Sequence, residues 1–387
     1  MTVCDVVVIG GGMAGAAAAY ELAERCRVVL VERESACGYH ATGRSAASFT
    51  ENYGNAVIRR LARAGRGFFE NPPAGFVEHP LVRPRGMLTI ARADQRDALD
   101  HELARANELA PTVHAIDRAE ALRLVPVLRT DYLADAIIEP GSLDIDVHAL
   151  HQAFLRGFRR RGGTIRTNAP VSSLVRCDSA WQVQAAGEQL STGLVVNAGG
   201  AWADTIAEAA GLPMLGLVPR RRTAFNIAAP VGHDPQHWPL VNDVGGEFYF
   251  KPDAGRLFVS PADATPSVPT DAQPEELDIA VGVDRIERAT TIRVARVAHK
   301  WAGLRTFAAD GSPVAGYDGL VDGFFWLAGQ GGYGIKTAPA LAKATANLVF
   351  EQRLPSDLLD LGLREGDLSP NRLRVKAVAT TDGAMVA

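Results

Sequence analysis

Cysteine is scarce in this chain: four residues in 387, at Cys4, Cys26, Cys37 and Cys177. No pair has C-x-x-C spacing and none has metal-ligand spacing, which excludes a disulfide scaffold, a zinc site and a dithiol redox centre. No metal is expected. Long apolar runs are missing as well; none reaches the ~18 residues that a membrane span requires. Neither sign of charge dominates: 40 Lys and Arg against 44 Asp and Glu leave a net charge of −4. There is no basic stripe, so nucleic acid is not an expected partner. The runs Arg159-Arg160-Arg161 and Arg220-Arg221-Arg222 are short, and the first closes a helical segment, where cations suit the C-terminal dipole. No charged segment followed by an apolar one precedes the first β-branched run, so no signal peptide is expected. With reduced thiols, this points to the cytoplasm.

What the chain has is an opening βαβ unit. Cys4 to Ile9 is an apolar, β-branched run. It ends in Gly10-Gly11-Gly12-Met13-Ala14-Gly15, which matches G-x-G-x-x-G. An Ala-rich helical segment runs to about Glu24, a second apolar run covers Val28 to Val31, and Glu32 and Arg33 follow. Gly10 lets the chain turn tightly, Gly12 lets a pyrophosphate approach the backbone, and Gly15 lets helix and strand pack closely. The helix N-terminus offers N–H groups and partial positive charge to phosphates. Glu32 stands about 20 residues on, where a carboxylate can accept from both ribose hydroxyls. Dinucleotide binding is expected.

Further along, Asp146 can cap a helix through Arg161, stopped by Gly162-Gly163. Short strands are expected at 164–167, 171–175, 181–185 and 193–197, and another at 324–328. The last runs into Gly329-Gln330-Gly331-Gly332-Tyr333-Gly334 and a helix from about Thr337. Residues 46–140 read as helix-rich with Pro-rich turns, residues 213–300 as alternating strands, and 262–276 as a loop. The expected fold class is α/β with an α+β second domain. A Rossmann-like nucleotide domain would combine residues 1–46, 141–212 and 300–370. A substrate-binding domain would come from two insertions, 47–140 and 213–299, and residues 371–387 would be a frayed tail.

The fingerprint does not choose between FAD and NAD. Two further features do. The stretch Gly38 to Ala47 (GYHATGRSAA) is small and polar, and the Gly329–Gly334 cluster precedes a helix. Two separated glycine-lined approaches suit a long, extended cofactor whose ring has an anionic edge near a helix N-terminus. At these residues the chain resembles the D-amino-acid oxidase-like family of FAD oxidoreductases, and within it the D-arginine dehydrogenases. The matching segments are GYHATGRSAA (38–47), FFENPPAGF (68–76), PVLR (126–129), RRTAF (221–225), FYFKPDAG (248–255), WAGLR (301–305), ADG (309–311) and GFFW with GQGGYGIKT (323–337). The resemblance implies non-covalent FAD. It would be held by Gly10, Gly12, Met13, Ala14, Gly15, Glu32, Arg33, Thr42, Gly43, Arg44, Ser45, Ala46, Ala47, Val171, Ala198, Gly199, Gly303, Gly331, Gly332, Tyr333, Gly334, Ile335 and Lys336.

It also implies a substrate site. Arg222 and Arg305 match carboxylate-binding arginines, whose planar forks suit bidentate bonds. Tyr53 and Tyr249 match substrate-contacting tyrosines, and Gly332 the residue whose carbonyl receives the amine. Three departures stand out. Ser48 replaces a histidine near the amine, Lys336 replaces a glutamine, and Arg83-Pro84-Arg85-Gly86-Met87-Leu88 lacks the glutamate that pairs with a substrate guanidinium. A buried cation without a carboxylate partner is costly, so D-arginine is disfavoured unless Glu51, Asp243 or Glu247 fills in. Gly86, Met87 and Leu240 would line an apolar outer pocket. The activity implied is oxidative deamination of neutral or apolar D-amino acids to 2-keto acids and ammonia through an imino acid, with hydride passing from Cα to flavin N5. A quinone or O2 would accept the electrons. Oxidation of secondary amino acids such as sarcosine or proline, or of glycine, is the alternative, and a non-catalytic FAD-binding role a further one.

Overall fold

Val6 and Val8 face one apolar core, while Val7 and Ile9 face a second one on the other side of the same strand. That two-sided burial is what a central strand of a parallel sheet requires, and Thr2–Ile9 is one. It pairs in parallel with Glu188–Asn197 on one side and Val28–Val31 on the other. Thr164–Arg166 extends the sheet beyond Val28–Val31, and Phe324–Ala328 pairs in parallel with the end of Glu188–Asn197. Antiparallel strands Val171–Cys177, Ala180–Ala185 and Val314–Tyr317 complete eight. The structure is a computed structural model and describes residues 2–108 and 112–374.

Helices Met13–Leu22, Val147–Arg160 and Gly334–Glu351 share the core of one face. Asp146 caps the second of them, accepting from the Ala149 N–H at 2.8 Å. Gly10 has φ +106°, and a Cβ there would stand 2.4 Å from the Ala198 carbonyl oxygen; one at Gly15 would stand 1.9 Å from the Gly10 carbonyl oxygen. The turn and the helix contact therefore both demand glycine.

A second, nine-stranded sheet runs Thr265–Pro266, Val218–Ala228, Arg256–Ser260, Tyr249–Asp253, Leu240–Asp243, Met87–Ala91, Asp135–Glu139, His114–Ile116, with Val297–Phe307 also paired to Val218–Ala228. A small sheet joins Ser48–Phe49, Leu143–Ile145 and Val82–Pro84.

Several expectations need correction. Among the described residues, 46–140 hold helices Ala56–Glu70, Arg96–Asn107 and Arg118–Leu124, but also five short strands. Strands of two to five residues are too short to show a period. The strand-like stretch 213–300 contains helix Glu276–Ala289, whose buried Ile279, Gly282, Ile286 and Ala289 recur at helical spacing among charges. The boundary expected at residue 300 falls inside Val297–Phe307, which pairs along its length with Val218–Ala228. Residues 371–374 are docked rather than frayed: Leu373 is buried, Arg372 binds Asp310 and Arg374 binds Asp318. The remainder of the expected tail, 375–387, lies outside the described residues.

Candidate active site

One cavity of about 390 Å³ runs along the C-terminal ends of the parallel strands and on to the second sheet. At its start, Glu32 is buried. Its carboxylate accepts from the Gly11 N–H at 2.7 Å and the Glu34 N–H at 2.9 Å. Arg33 lies over the Trp202 ring at 4.8 Å, and His40 meets the same ring at 4.7 Å while pairing with Glu34 at 3.0 Å. Thr42 Oγ1 accepts from the Met13 N–H at 2.9 Å, which ties Gly38–Ala47 to the first helix.

At the other end stand the two arginines. Arg222 lies opposite Gly303 and Arg305 opposite Arg220 on adjacent antiparallel strands, so Arg222 and Arg305 are diagonal neighbours on one face. Gly303 packs against Arg44 and Ala41, where a Cβ would stand 3.4 Å from the Arg44 Cβ. Arg222 donates its Nε to the Asp263 carbonyl oxygen at 2.5 Å, and Arg305 donates to the Tyr249 hydroxyl at 3.2 Å. Burial alone would raise the Tyr249 phenol, but Arg305 and then Arg222 flank it and hold it below the usual tyrosine range. Tyr249 stacks on Phe258 at 5.8 Å. Glu32, at the far end, is the sole carboxylate among the described residues that line the cavity. The nearby Asp263 carboxylate is turned onto the Thr223 N–H and hydroxyl and does not line the cavity, so two guanidiniums meet one open space with no acid between them, a site made for an anion.

Of the residues expected to hold cofactor, Gly10, Gly12, Met13, Ala14, Glu32, Arg33, Thr42, Arg44, Ser45, Ala46, Val171, Ala198, Gly199, Gly303, Gly331, Gly332, Gly334 and Ile335 line this cavity. Gly15, Gly43, Ala47, Tyr333 and Lys336 do not line it. Tyr53 lies against the Tyr333 ring at 4.9 Å and is about half exposed. Ser48 pairs with Asp144, and its buried hydroxyl has no partner. Lys336 does not point into the cavity; its ammonium donates to the Thr50 and Tyr53 carbonyl oxygens.

The outer pocket expected from the Arg85 loop is also corrected. Arg85 is bound to Asp144, Gln236 and Trp238, and neither Gly86, Met87 nor Leu240 lines the cavity. The acids named as substitutes are engaged elsewhere: Glu51 by Arg66, Asp243 by Gln95 and Tyr132, and Glu247 by Arg92. Sequence reading missed Ala169, Pro170, Trp202, Phe258, Thr306 and Gln330 as lining residues. Trp202 had a signal, since it follows Gly199-Gly200 at a strand end. Phe258 had none, being one more apolar strand residue.

The cavity fits a flavin dinucleotide. A Cβ on Gly12 would meet only Thr42 Oγ1, at 3.4 Å, so the backbone there faces open space. Helices Met13–Leu22 and Gly334–Glu351 both begin at this cavity with no side-chain cap and no acid in the first turn. Two uncapped N-termini suit a pyrophosphate and an anionic ring edge. This is the architecture of a flavin-nucleotide oxidoreductase. The chain belongs to the DAO family, FAD dependent oxidoreductases, whose family model matches residues 5–348, and FAD is its cofactor.

Glycine oxidase of Geobacillus kaustophilus is 25% identical over 375 residues, covering 93% of this chain and 96% of that protein. Mitochondrial dimethylglycine dehydrogenase of Rattus norvegicus is 24% identical over 384 residues, covering 92% of this chain but 44% of the relative. The chain thus spans under half the length of the dimethylglycine dehydrogenases it matches. L-proline dehydrogenase from P. horikoshii has the same fold, with a TM-score of 0.82 at 20% identity over 97% of this chain and 99% of that one.

Two predictions concern the cofactor. Cys37 carries a thiol that burial pushes up to about 11, and it packs behind Gly11 beside Glu32. A thiol kept protonated is a poor nucleophile, so acid precipitation should leave all FAD in the supernatant; flavin retained in the pellet would contradict this. Asp271 accepts from Arg44 and from Tyr39 at 3.3 Å, binding segment 262–276 to the cofactor loop. Asp271→Asn should speed FAD dissociation roughly three- to fivefold, the scale of a half-exposed ion pair, as read by flavin fluorescence.

Proposed function

We propose that this protein oxidises the Cα–N bond of neutral α-amino acids, with D-amino acids as the primary substrates. The observation that carries the reading is the Arg222–Arg305 pair, facing a cavity whose one lining carboxylate among the described residues, Glu32, follows the nucleotide-binding strand Val28–Val31. A substrate carboxylate supplies the missing anion through bidentate, charge-assisted bonds. The Tyr249 phenol donates to the same carboxylate, and its ring helps to exclude water. The Gly332 carbonyl accepts from the substrate amine, which sets the Cα–H toward the cavity. Bound FAD supplies the two-electron acceptor chemistry for that hydrogen. The imino acid released is hydrolysed to a 2-keto acid and ammonia, and a quinone or O2 takes the electrons onward. In this reading residues 47–140 and 213–299, with the strand Val297–Phe307 that runs on past residue 300, form the substrate-binding part.

No general base is needed at the carbon, because the neutral amine lone pair drives hydride departure. His40, at the opposite end of the cavity with Glu34 and Trp202, has no part in it. A second reading is oxidation of N-substituted or secondary amino acids. It is favoured by relatives named dimethylglycine dehydrogenase and L-proline dehydrogenase, and it uses the same arginines.

The test is anaerobic flavin reduction by D-Met, D-Leu, D-Phe, D-Glu, D-Arg, glycine, sarcosine and proline. Neutral D-amino acids should exceed D-Arg by at least about tenfold, or roughly 1.4 kcal/mol, because Arg222 and Arg305 repel a cationic side chain and no free acid offsets them. D-Arg as the best reductant would refute the pocket reading. Reduction by sarcosine or proline alone would install the second reading.

A further inference from the structure

Lys336 is a buried cation that the proposed chemistry leaves unused. It is 3% exposed, and it sits in the first turn of helix Gly334–Glu351. A positive charge there opposes the helix dipole, and its burial is costly. No ion pair to Lys336 occurs among the described residues. Its Nζ donates instead to the carbonyl oxygens of Thr50 at 2.8 Å and Tyr53 at 2.6 Å. The same atom lies 5.4 Å from the Tyr53 ring centre and 5.5 Å from that of Tyr333. The segment it holds is short and tied at both ends. Thr50 Oγ1 donates to Glu139 at 2.8 Å, Gly54 turns at φ +111°, and Asn55 caps helix Ala56–Glu70 through the Ile58 N–H.

Resting on the substrate reading above, we propose that Lys336 is a positioning residue: its two hydrogen bonds hold Thr50–Tyr53 against the helix start and so set the Tyr53 ring on Tyr333 beside Arg305. The charged groups around it are Glu139, Glu51, Arg59 and Arg105. Glu139 is occupied by Thr50, Glu51 by Arg66, Arg59 by Glu108 and Arg105 by Glu102. That leaves two backbone carbonyls as the direct partners, so Lys336 is linked to backbone position rather than to a titrating acid.

The test uses the full FAD-loaded chain with Lys336→Met, Lys336→Gln and Tyr53→Ala. Methionine removes both donors; glutamine keeps two N–H groups without charge. The readouts are kcat/KM with the best amino acid of the panel, FAD affinity by fluorescence, and amide exchange over residues 50–55. Lys336→Met should lower kcat/KM and speed exchange by about tenfold or more, with FAD affinity within about threefold of wild type. Lys336→Gln should recover most of both losses. On a Tyr53→Ala background, Lys336→Met should change kcat/KM less than about twofold, since the two residues act as one unit. Unchanged exchange, an undiminished effect in the double variant, or loss of FAD would overturn the proposal. If no amino acid reduces the flavin, the substrate reading fails. Exchange over 50–55 then decides the Lys336 role by itself, faster exchange in Lys336→Met supporting it and equal exchange overturning it.

Discussion

Arg305→Ala should slow flavin reduction by an amino acid by roughly 10²–10³-fold while leaving FAD bound. Arg305 has one side-chain partner among the described residues, the Tyr249 hydroxyl, and otherwise faces the cavity. The guanidinium therefore has little structural work in the free protein. Once substrate excludes water, it becomes half of a desolvated ion pair. Losing one partner of such a pair costs about 3–4 kcal/mol, which sets the expected fold-change. The same logic predicts that the variant unfolds no more easily than wild type, because two like charges across Tyr249 are reduced to one. Arg222→Ala should act in the same direction, but it also loses the bond to the Asp263 carbonyl. The measurement is stopped-flow anaerobic reduction, with FAD content read separately. A change below about tenfold in both variants would remove these arginines from the site.

The parts of this fold that were legible beforehand share one property: strong local chemistry. Phe324–Ala328 is an unbroken apolar run ahead of glycines, and the observed strand has those limits. The G-x-G-x-x-G turn needs φ +106° at Gly10 and no Cβ at Gly15, demands that can be met only by residue type. What stayed hidden depends on tertiary pairing. The short strands between residues 47 and 140 have meaning only through their partners: Ser48–Phe49 and Val82–Pro84 on Leu143–Ile145, and Met87–Ala91 between Leu240–Asp243 and Asp135–Glu139, which His114–Ile116 extends. Helix Glu276–Ala289 carries its buried face on four small or branched residues in a segment that also holds six charged ones, too faint a stripe to outweigh a stretch of surrounding strands. Side-chain direction was equally hidden. Chain position places Lys336 next to the glycine cluster, but only packing shows its ammonium turned onto Thr50 and Tyr53.

That buried ammonium should make stability rise with pH, most visibly between pH 7 and 10. Burial pushes Lys336 down to about 7 from an ordinary 10.5, even though Glu139 and Glu51 pull the other way. The folded protein therefore releases this proton near pH 7, whereas the unfolded chain keeps it to about 10.5. Between those limits the unfolded state binds more protons, so unfolding becomes harder as pH rises. Below about 7 the fold bears the full cost of the charge. At about 1.4 kcal/mol per unit, the gain from pH 7 to pH 10 is roughly 3–4 kcal/mol. Tyrosines and thiols titrate over the same range, so the quantity to measure is a difference. Denaturant unfolding of wild type and Lys336→Met, at one free FAD concentration and at several pH values, isolates it. The stability of wild type relative to Lys336→Met should climb steadily from pH 7 to 10. A difference flat to within about 1 kcal/mol would mean that Nζ is hydrated in solution and that its grip on Thr50 and Tyr53 is not the buried contact described here.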